Sequence, residues 1–203
     1  MFCILRKIMF YIIGLGNPGE EYKNSRHNTG VLSVEHFAKK NDMKVFNADK
    51  RIKAIVSMGK IGKEKTMLIL PQTFMNKSGL SAGKVIISGK KAENLIVIYD
   101  DLALPLGKFR ISFGRGSGGH KGAESVARAV KTKDFIRVRI GIAQSTLSGK
   151  IKKMKSEKDI INFILGDFSK KEIFMLKTVF KNVTEALEII IKEGRAKAMN
   201  IYN

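Results

Sequence analysis

The stretch Leu95-Ile96-Val97-Ile98-Tyr99-Asp100-Asp101 decides the fold class. Its first five residues show no alternation of apolar and polar side chains, which is typical of a strand covered on both faces. Two acids follow at the end of this strand, where a buried carboxylate is costly unless it is paired. The pattern indicates an α/β domain with helices on both sides of a sheet.

Apolar β-branched runs and helical patterns alternate on both sides of this stretch. The predicted strands cover residues 10–15, 53–58, 66–70, 95–99, 108–113 and 137–142. The predicted helices cover 29–41, 78–88, 121–130 and two segments within 159–193, divided near 166–169. Ser169 and Glu172 have the spacing of a capping box. The order predicts one three-layer α/β domain, with a twisted, mixed, largely parallel sheet and a C-terminal helical lid region.

Two segments depart from this alternation. Residues 1–8 precede a second methionine, Met9, and are expected to form a loose N-terminal extension to a single catalytic domain over residues 9–203. Residues 144–158 are polar and rich in lysine, and they are long for a simple connection. We expect this segment to be a lid or a binding loop; a solvated loop without a partner is the alternative.

The charge balance favours a polyanionic partner. The chain of 203 residues has 38 Lys and Arg against 18 Asp and Glu, a formal net charge of +20. Such a surface favours nucleic acid, although solubility or a lysine-rich composition would explain the charge as well. Cys3 is the only cysteine, which excludes an intrachain disulfide and fits a reducing cytoplasm. No apolar stretch approaches the ~20 residues of a membrane span.

The run Gly14-Leu-Gly-Asn-Pro-Gly19 has the spacing of a dinucleotide-binding fingerprint. That fingerprint requires a helix that opens at once toward the pyrophosphate. Here the acidic pair Glu20-Glu21 follows, and the next convincing helix begins near Thr29. We therefore expect the glycines to form a tight turn that presents Asn17 at the carboxyl end of a strand.

His27 lies in the polar loop Ser25-Arg-His-Asn-Thr-Gly30, just before a helix. Histidine is the side chain whose free pKa lies nearest neutrality, so it can take a proton from water at working pH. One of the two acids after the buried strand could orient this imidazole. Because side chains alternate along a strand, only one of Asp100 and Asp101 needs to point that way.

Two further loops each precede a helix. In the first, Phe74 offers a stacking face for a base or ribose, and Asn76 offers both a donor and an acceptor. In the second, the glycine-rich run 114–122 could form an anion nest, to which Lys121 adds charge. His27 and His120 are too few for a zinc site, so no metal is expected. The sequence contains no G-x-S-x-G elbow, so it does not indicate a covalent nucleophile.

Taken together, these segments resemble the bacterial-type peptidyl-tRNA hydrolase family. The matching runs, in order, are 14–19, Tyr22 with 26–30, 73–76 with 78–79, 100–102 with 104–107, 118–120, 137–142 and 198–200. The resemblance implies cleavage of the ester between a peptide and the 3′-terminal ribose of tRNA, without metal or organic cofactor. It implies a cytoplasmic monomer that recycles peptidyl-tRNA.

The resemblance also assigns roles to individual residues. It implies that His27 activates water, that Asp100 orients His27, and that Asn17 helps to select a blocked amino end. Asn76 would hold the substrate backbone and the developing oxyanion. Tyr22 and Phe74 would contact the tRNA end.

One position departs from the family pattern. The family usually has Asn directly after the residue that corresponds to His120, whereas this chain has Lys121. Lysine brings charge and three donors but no acceptor. Lys121 could pair with a tRNA phosphate, donate to the ester carbonyl, or leave activity reduced. We favour the first hypothesis.

Two other functions compete with hydrolysis. A non-catalytic RNA-binding module of the same fold would use the basic lid and the glycine loop, with His27 as a relic. Relatives of this family with RNA-splicing roles keep that alternative open. A dinucleotide-dependent enzyme is the other alternative, and it rests on the 14–19 glycine pattern alone.

Overall fold

The computed structural model describes residues 9–146, 150–152 and 154–203. The strands are β1 (Met9–Gly14), β2 (Asn47–Asp49), β3 (Ala54–Ile61), β4 (Glu64–Pro71), β5 (Leu95–Pro105), β6 (Phe109–Phe113) and β7 (Ile136–Ala143). The helices are α1 (Thr29–Lys40), α2 (Gly79–Val85), α3 (Gly89–Ala92), α4 (Lys121–Val130), α5 (Glu157–Leu165), α6 (Lys170–Glu193) and α7 (Arg195–Tyr202). The predicted extension 1–8 lies outside the described residues.

The described strands form one mixed sheet in the order β2-β3-β4-β1-β5-β7-β6. Its centre is parallel, because β1 pairs in parallel with β4 and β5, and β5 pairs in parallel with β7. Both margins are antiparallel: β2 and β3 continue from β4, and β6 closes on β7. The mixed α/β fold is confirmed, but only three of the six described strand pairings are parallel, because antiparallel margins flank the parallel centre.

Helices cover both faces of the central strands and create two apolar cores. On one face, Ile12 and Ile96 pack in a cluster that includes Val34 and Phe37 of α1 and many residues of α6. On the other face, Ile13 and Val97 join a cluster that includes residues of α2 and α4. Adjacent residues of one strand thus pack into opposite cores. This explains why the sequences of β1 and β5 contain unbroken apolar runs.

The chain between α5 and α6 follows the predicted local chemistry. Ser169 accepts a hydrogen bond from the backbone N–H of Glu172, whose carboxylate accepts one from the N–H of Ser169. This confirms the capping box. The sequence prediction missed the short edge strand β2 and the helices α3 and α7, which are short or lack an apolar stripe.

The long helix α6 is amphipathic and contains charged residues along its 24 positions. None of the described helices combines the length and the apolar character needed to cross a bilayer.

The edge strand β6 is paired on its outer side by a side chain. The Nδ2 of Asn203 donates to the carbonyl of Ile111 at 2.9 Å, and its Oδ1 accepts from the N–H of Ile111 at 2.9 Å. The amide therefore occupies the place of a peptide group from a neighbouring strand.

The loop predicted as a lid, residues 144–158, is described except for 147–149 and 153. An isolated antiparallel bridge joins Ser145 to Ile151. The C-terminal end of the segment runs into α5, which begins at Glu157 after Ser156 caps it. Its role as a lid stays a prediction.

Candidate active site

His27 and Asp100 meet at the carboxyl end of the sheet. Asp100 follows the fully buried part of β5, and His27 lies in a 3₁₀ turn, Arg26–Asn28, that leads into α1. The Nδ1 of His27 lies 3.0 Å from each carboxylate oxygen of Asp100, and both side chains are nearly buried. Since a carboxylate only accepts, Nδ1 carries the hydrogen and Nε2 of neutral His27 is left as a base.

A second histidine, His120, holds the same carboxylate. Its Nε2 lies 3.0 Å from Oδ1 of Asp100, and its ring centroid is 5.0 Å from that of His27. The backbone N–H of Ala123 donates to Nδ1 of His120 at 3.2 Å, so His120 caps α4. Nδ1 therefore carries no hydrogen, and the hydrogen on Nε2 is donated to Asp100.

The two imidazoles keep Asp100 ionised. Burial alone would raise its pKa, but the electrostatic interactions and hydrogen bonds with the imidazoles of His120 and His27 outweigh burial and hold the pKa of Asp100 well below its usual range. A carboxylate fixed in this way both orients His27 and supports its protonated form during a reaction.

Asp101 bonds to groups other than the histidines, as is expected for the next position along a strand. Its Oδ1 accepts from the N–H of Ala103 at 2.7 Å, and its Oδ2 accepts from Nη1 of Arg139 at 2.8 Å. Of the two adjacent acids, Asp100 is the one that contacts the histidines.

Asn17 lies in a turn held by two neighbouring segments. It exchanges two hydrogen bonds with the side chain of Asn28: the N–H of Asn17 donates to Oδ1 at 2.8 Å, and Nδ2 of Asn28 donates to the carbonyl of Asn17 at 2.9 Å. The backbone N–H of Met75 donates to Oδ1 of Asn17 at 2.8 Å. These contacts fix the orientation of the side-chain amide of Asn17, because its Oδ1 is engaged by Met75. Sequence reasoning did not foresee that Asn28 holds this turn.

A cavity of about 260 Å³ opens beside the two histidines. Its lining includes His27, Asp100 and Lys121, together with the glycine-rich segment before α4. The apolar part of the lining comes from α5, which contributes Ile160, Ile161 and Ile164. The cavity thus combines polar side chains with an apolar wall, as is usual in sites that bind organic substrates.

Lys121 lies at the rim of this cavity and reaches toward α5. Its Nζ is 3.9 Å from Oε1 of Glu157, and the two side chains are 69% and 81% exposed. An ion pair of this length between exposed groups is weak and easily exchanged.

The remaining predicted site residues do not line this cavity in the part of the chain that the structure describes. Asn76 and Phe74 are exposed on a turn after β4, and Tyr22 is half-buried in the turn after Gly19. Asn17 adjoins the site through Asn28. The roles of Tyr22, Phe74 and Asn76 toward tRNA stay predictions.

The geometry disfavours the alternatives that need a cofactor or a metal. Gly19 is followed by a 3₁₀ turn, Glu20–Tyr22, in place of the helix that a dinucleotide fingerprint requires. His27, Asp100 and His120 offer ligand atoms within 4.8 Å of one another. However, the Nε2 of His120 carries a hydrogen, because Ala123 donates to the other nitrogen, so Nε2 has no lone pair for a cation.

A family model described as peptidyl-tRNA hydrolase matches residues 11–203. The chain belongs to the peptidyl-tRNA hydrolase family. Its similarity to curated peptidyl-tRNA hydrolases covers nearly the whole length of both chains. The one from Syntrophotalea carbinolica is 37% identical over 96% of this chain and 97% of the relative. The one from Clostridium acetobutylicum is 36% identical over 96% and 98%.

Solved structures agree with this membership. The peptidyl-tRNA hydrolase of Acinetobacter baumannii superposes with a TM-score of 0.85 at 28% identity, over 96% of this chain and 94% of the other. A peptidyl-tRNA hydrolase in complex with n-propanol gives the same values. The family resemblance and the α/β fold expected from sequence are confirmed, and the chain is a hydrolase of this family.

Proposed function

We propose that this hydrolase cleaves the ester between a peptide and the 3′-terminal ribose of tRNA, with His27 as the general base. The observation that carries the proposal is the buried hydrogen bond from Nδ1 of His27 to Asp100. It leaves Nε2 unprotonated beside a cavity with an apolar wall. The names of the relatives support the substrate class.

In this mechanism the Nε2 of His27 takes a proton from water as the water oxygen attacks the ester carbonyl carbon. The imidazolium that forms is stabilised by Asp100, which stays ionised. As the carbon–oxygen bond to the ribose breaks, the imidazolium returns the proton to the ribose oxygen. The products are a peptide acid and tRNA with a free 3′-terminal hydroxyl, and His27 is restored.

The other predicted residues receive binding roles in this proposal. Asn17 presents its NH₂ group to the blocked amino end of the peptide, and Asn76 donates to the substrate backbone or developing oxyanion. Tyr22 and Phe74 contact the tRNA end. Lys121 exchanges Glu157 for a phosphate of the tRNA, which is supported by the exposure and length of that ion pair.

Hydrolysis of an N-blocked aminoacyl-tRNA by wild type and by His27→Ala tests the proposal. We expect the variant to lose at least about 100-fold in kcat, the usual contribution of a positioned base. His36→Ala is a matched control, because His36 lies on α1 and its ring packs near that of Phe180, 6.0 Å away. Equal rates for His27→Ala and wild type would refute catalysis by His27. Activity in neither protein, with RNA binding retained, would favour the RNA-binding module.

We further propose that the enzyme works as a monomer in the cytoplasm. The tRNA substrate class supports the compartment. The short polar edge strand β2 and the pairing of β6 by Asn203 support the monomer. Light scattering on a size-exclusion column should give the mass of one chain, and a concentration-dependent dimer would contradict this.

A further inference from the structure

The residue directly before His27, Arg26, is held by the last turn of α5. Its Nη1 donates to the carbonyl of Gly166 at 3.1 Å and to that of Phe163 at 3.5 Å. The guanidinium carbon lies 4.5 Å from the centroid of the Phe163 ring. A cation that contacts both the terminal carbonyls of a helix and an aromatic face is well placed to fix the helix end.

The other edge of the same guanidinium holds the start of α6. Nη2 of Arg26 lies 3.1 Å and 3.0 Å from the two carboxylate oxygens of Glu172. The side chains of Arg26 and Glu172 are only 11% and 14% exposed. Since Glu172 also accepts from the N–H of Ser169 at 2.7 Å, one arginine joins the end of α5 to the cap of α6.

The backbone adds contacts along the same seam. The N–H of Arg26 donates to the carbonyl of Gly166 at 3.1 Å, and an isolated antiparallel bridge joins Ser25 to Asp167. The hydroxyl of Thr29 donates to the carbonyl of Arg26 at 2.6 Å. The turn that contains His27 is therefore attached to the α5–α6 junction through both side chain and main chain.

These contacts connect two parts of the cavity lining. His27 is one of the lining residues, and α5 provides the apolar wall with Ile160, Ile161 and Ile164. We propose that Arg26 is a positioning residue that sets the separation between His27 and α5, so that the bound acyl group meets the base in one geometry. The inference rests on the proposed function, because it concerns the geometry in which His27 acts on that substrate.

The test compares kcat and KM of wild type, Arg26→Gln and Arg26→Lys with an N-blocked aminoacyl-tRNA. We expect Arg26→Gln to lower kcat about 10- to 100-fold, because misplacement by about 1 Å has effects of this size. KM should change little, since Arg26 is not among the residues that line the cavity. Arg26→Lys should recover part of kcat, because it keeps the charge but loses the two-pronged contact.

A matched control is Arg51→Gln. Arg51 forms a similar two-pronged pair with Asp49, at 2.9 Å and 3.2 Å, but its side chain is 89% exposed. Its loss should leave kcat unchanged. Far-UV circular dichroism and the fraction of active molecules in each preparation distinguish a loss of rate from a loss of fold. If Arg26 only stabilised the fold, kcat per folded molecule would not change.

Gly166→Ala keeps the inference testable if Arg26→Gln does not fold. The φ of Gly166 is −73°, which alanine adopts without strain, and a Cβ there would lie 3.2 Å from the carbonyl oxygen of Asn162 and 3.3 Å from Nη1 of Arg26. We expect it to push the guanidinium and lower kcat without changing KM. Wild-type kcat in folded Arg26→Gln or in Gly166→Ala would overturn the positioning role, whereas an inactive wild type would overturn the proposed function itself.

Discussion

Two ion pairs attach the α5 region to the site, and they differ in almost every physical respect. Each begins at a basic residue next to a site histidine: Arg26 precedes His27, and Lys121 follows His120. Arg26 grips Glu172 with two contacts of 3.0 and 3.1 Å in a nearly buried position. Lys121 approaches Glu157 only to 3.9 Å, in the open.

The difference separates a fixed end of α5 from an exchangeable one. Desolvated, hydrogen-bonded charges are costly to separate, because each would be left buried without its partner. Exposed charges lose little when they part, because water and counterions replace the partner. A helix attached in this way keeps its C-terminal end in place near His27, while a polyanion can compete for the lysine near its N-terminal end.

The largest expected effect is on stability. Arg26→Met should lower the free energy of unfolding by about 3 kcal/mol, because it leaves Glu172 unpaired in a position with little solvent. Lys121→Met should lower it by at most about 1 kcal/mol. Urea denaturation of both variants measures the difference, and equal losses would remove the distinction between the two ends.

Of the two ends of α5, the Arg26 end should contribute to the pH dependence of stability. Burial opposes the charge on Glu172, but hydrogen bonds from Ser169 and Arg26 outweigh burial and lower its pKa from the usual value of 4.5. A lowered pKa in the folded state stabilises the fold above 4.5, and this contribution is lost as the pH falls through the lower folded-state value.

Glu172→Gln isolates this contribution, because glutamine also completes a capping box. The variant should lose stability at neutral pH and show a flatter decline between neutral and acid pH than wild type. Denaturation at a series of pH values measures both slopes. If the plots of stability against pH for wild type and Glu172→Gln were parallel, Glu172 would contribute nothing to acid sensitivity. Glu157→Gln, which changes an exposed carboxylate, is the control.

The smallest expected effect concerns RNA binding at the Lys121 end. Lys121→Asn should keep turnover but weaken tRNA binding, and the slope of log affinity against log salt should shrink by about 0.7–0.9, one phosphate contact. Lys63→Asn removes the same charge at the turn between β3 and β4 and should leave the slope unchanged. An unchanged slope in Lys121→Asn would exclude the phosphate contact.

Local chemistry explains what was predictable from sequence. The unbroken apolar run 95–99 predicted a doubly covered strand, and Ser169 with Glu172 predicted a capped helix, because each pattern acts over a few residues. The alternation of side chains limited the histidine partner to one of two adjacent acids, and Asp100 proved to be that acid.

Long-range contacts explain what was missed. Arg26 meets Glu172 across 146 positions of sequence, and no spacing rule connects them. The glycine-rich run before α4 suggested an anion nest, but it did not indicate that the ring of His120 both caps the helix and donates to Asp100. The edge strand β2 is short and polar, so it lacks the apolar pattern by which buried strands are detected.

The side-chain amide of Asn203, which pairs with Ile111 of β6, affects the tendency of the protein to associate with itself at high concentration. An open sheet margin offers unpaired N–H and C=O groups to any passing strand, and that encounter is a common first step of aggregation. At Ile111 both groups are already occupied by one side chain. Asn203→Ala should therefore make concentrated solutions more prone to self-association, even though Asn203 is not among the residues that line the cavity beside His27.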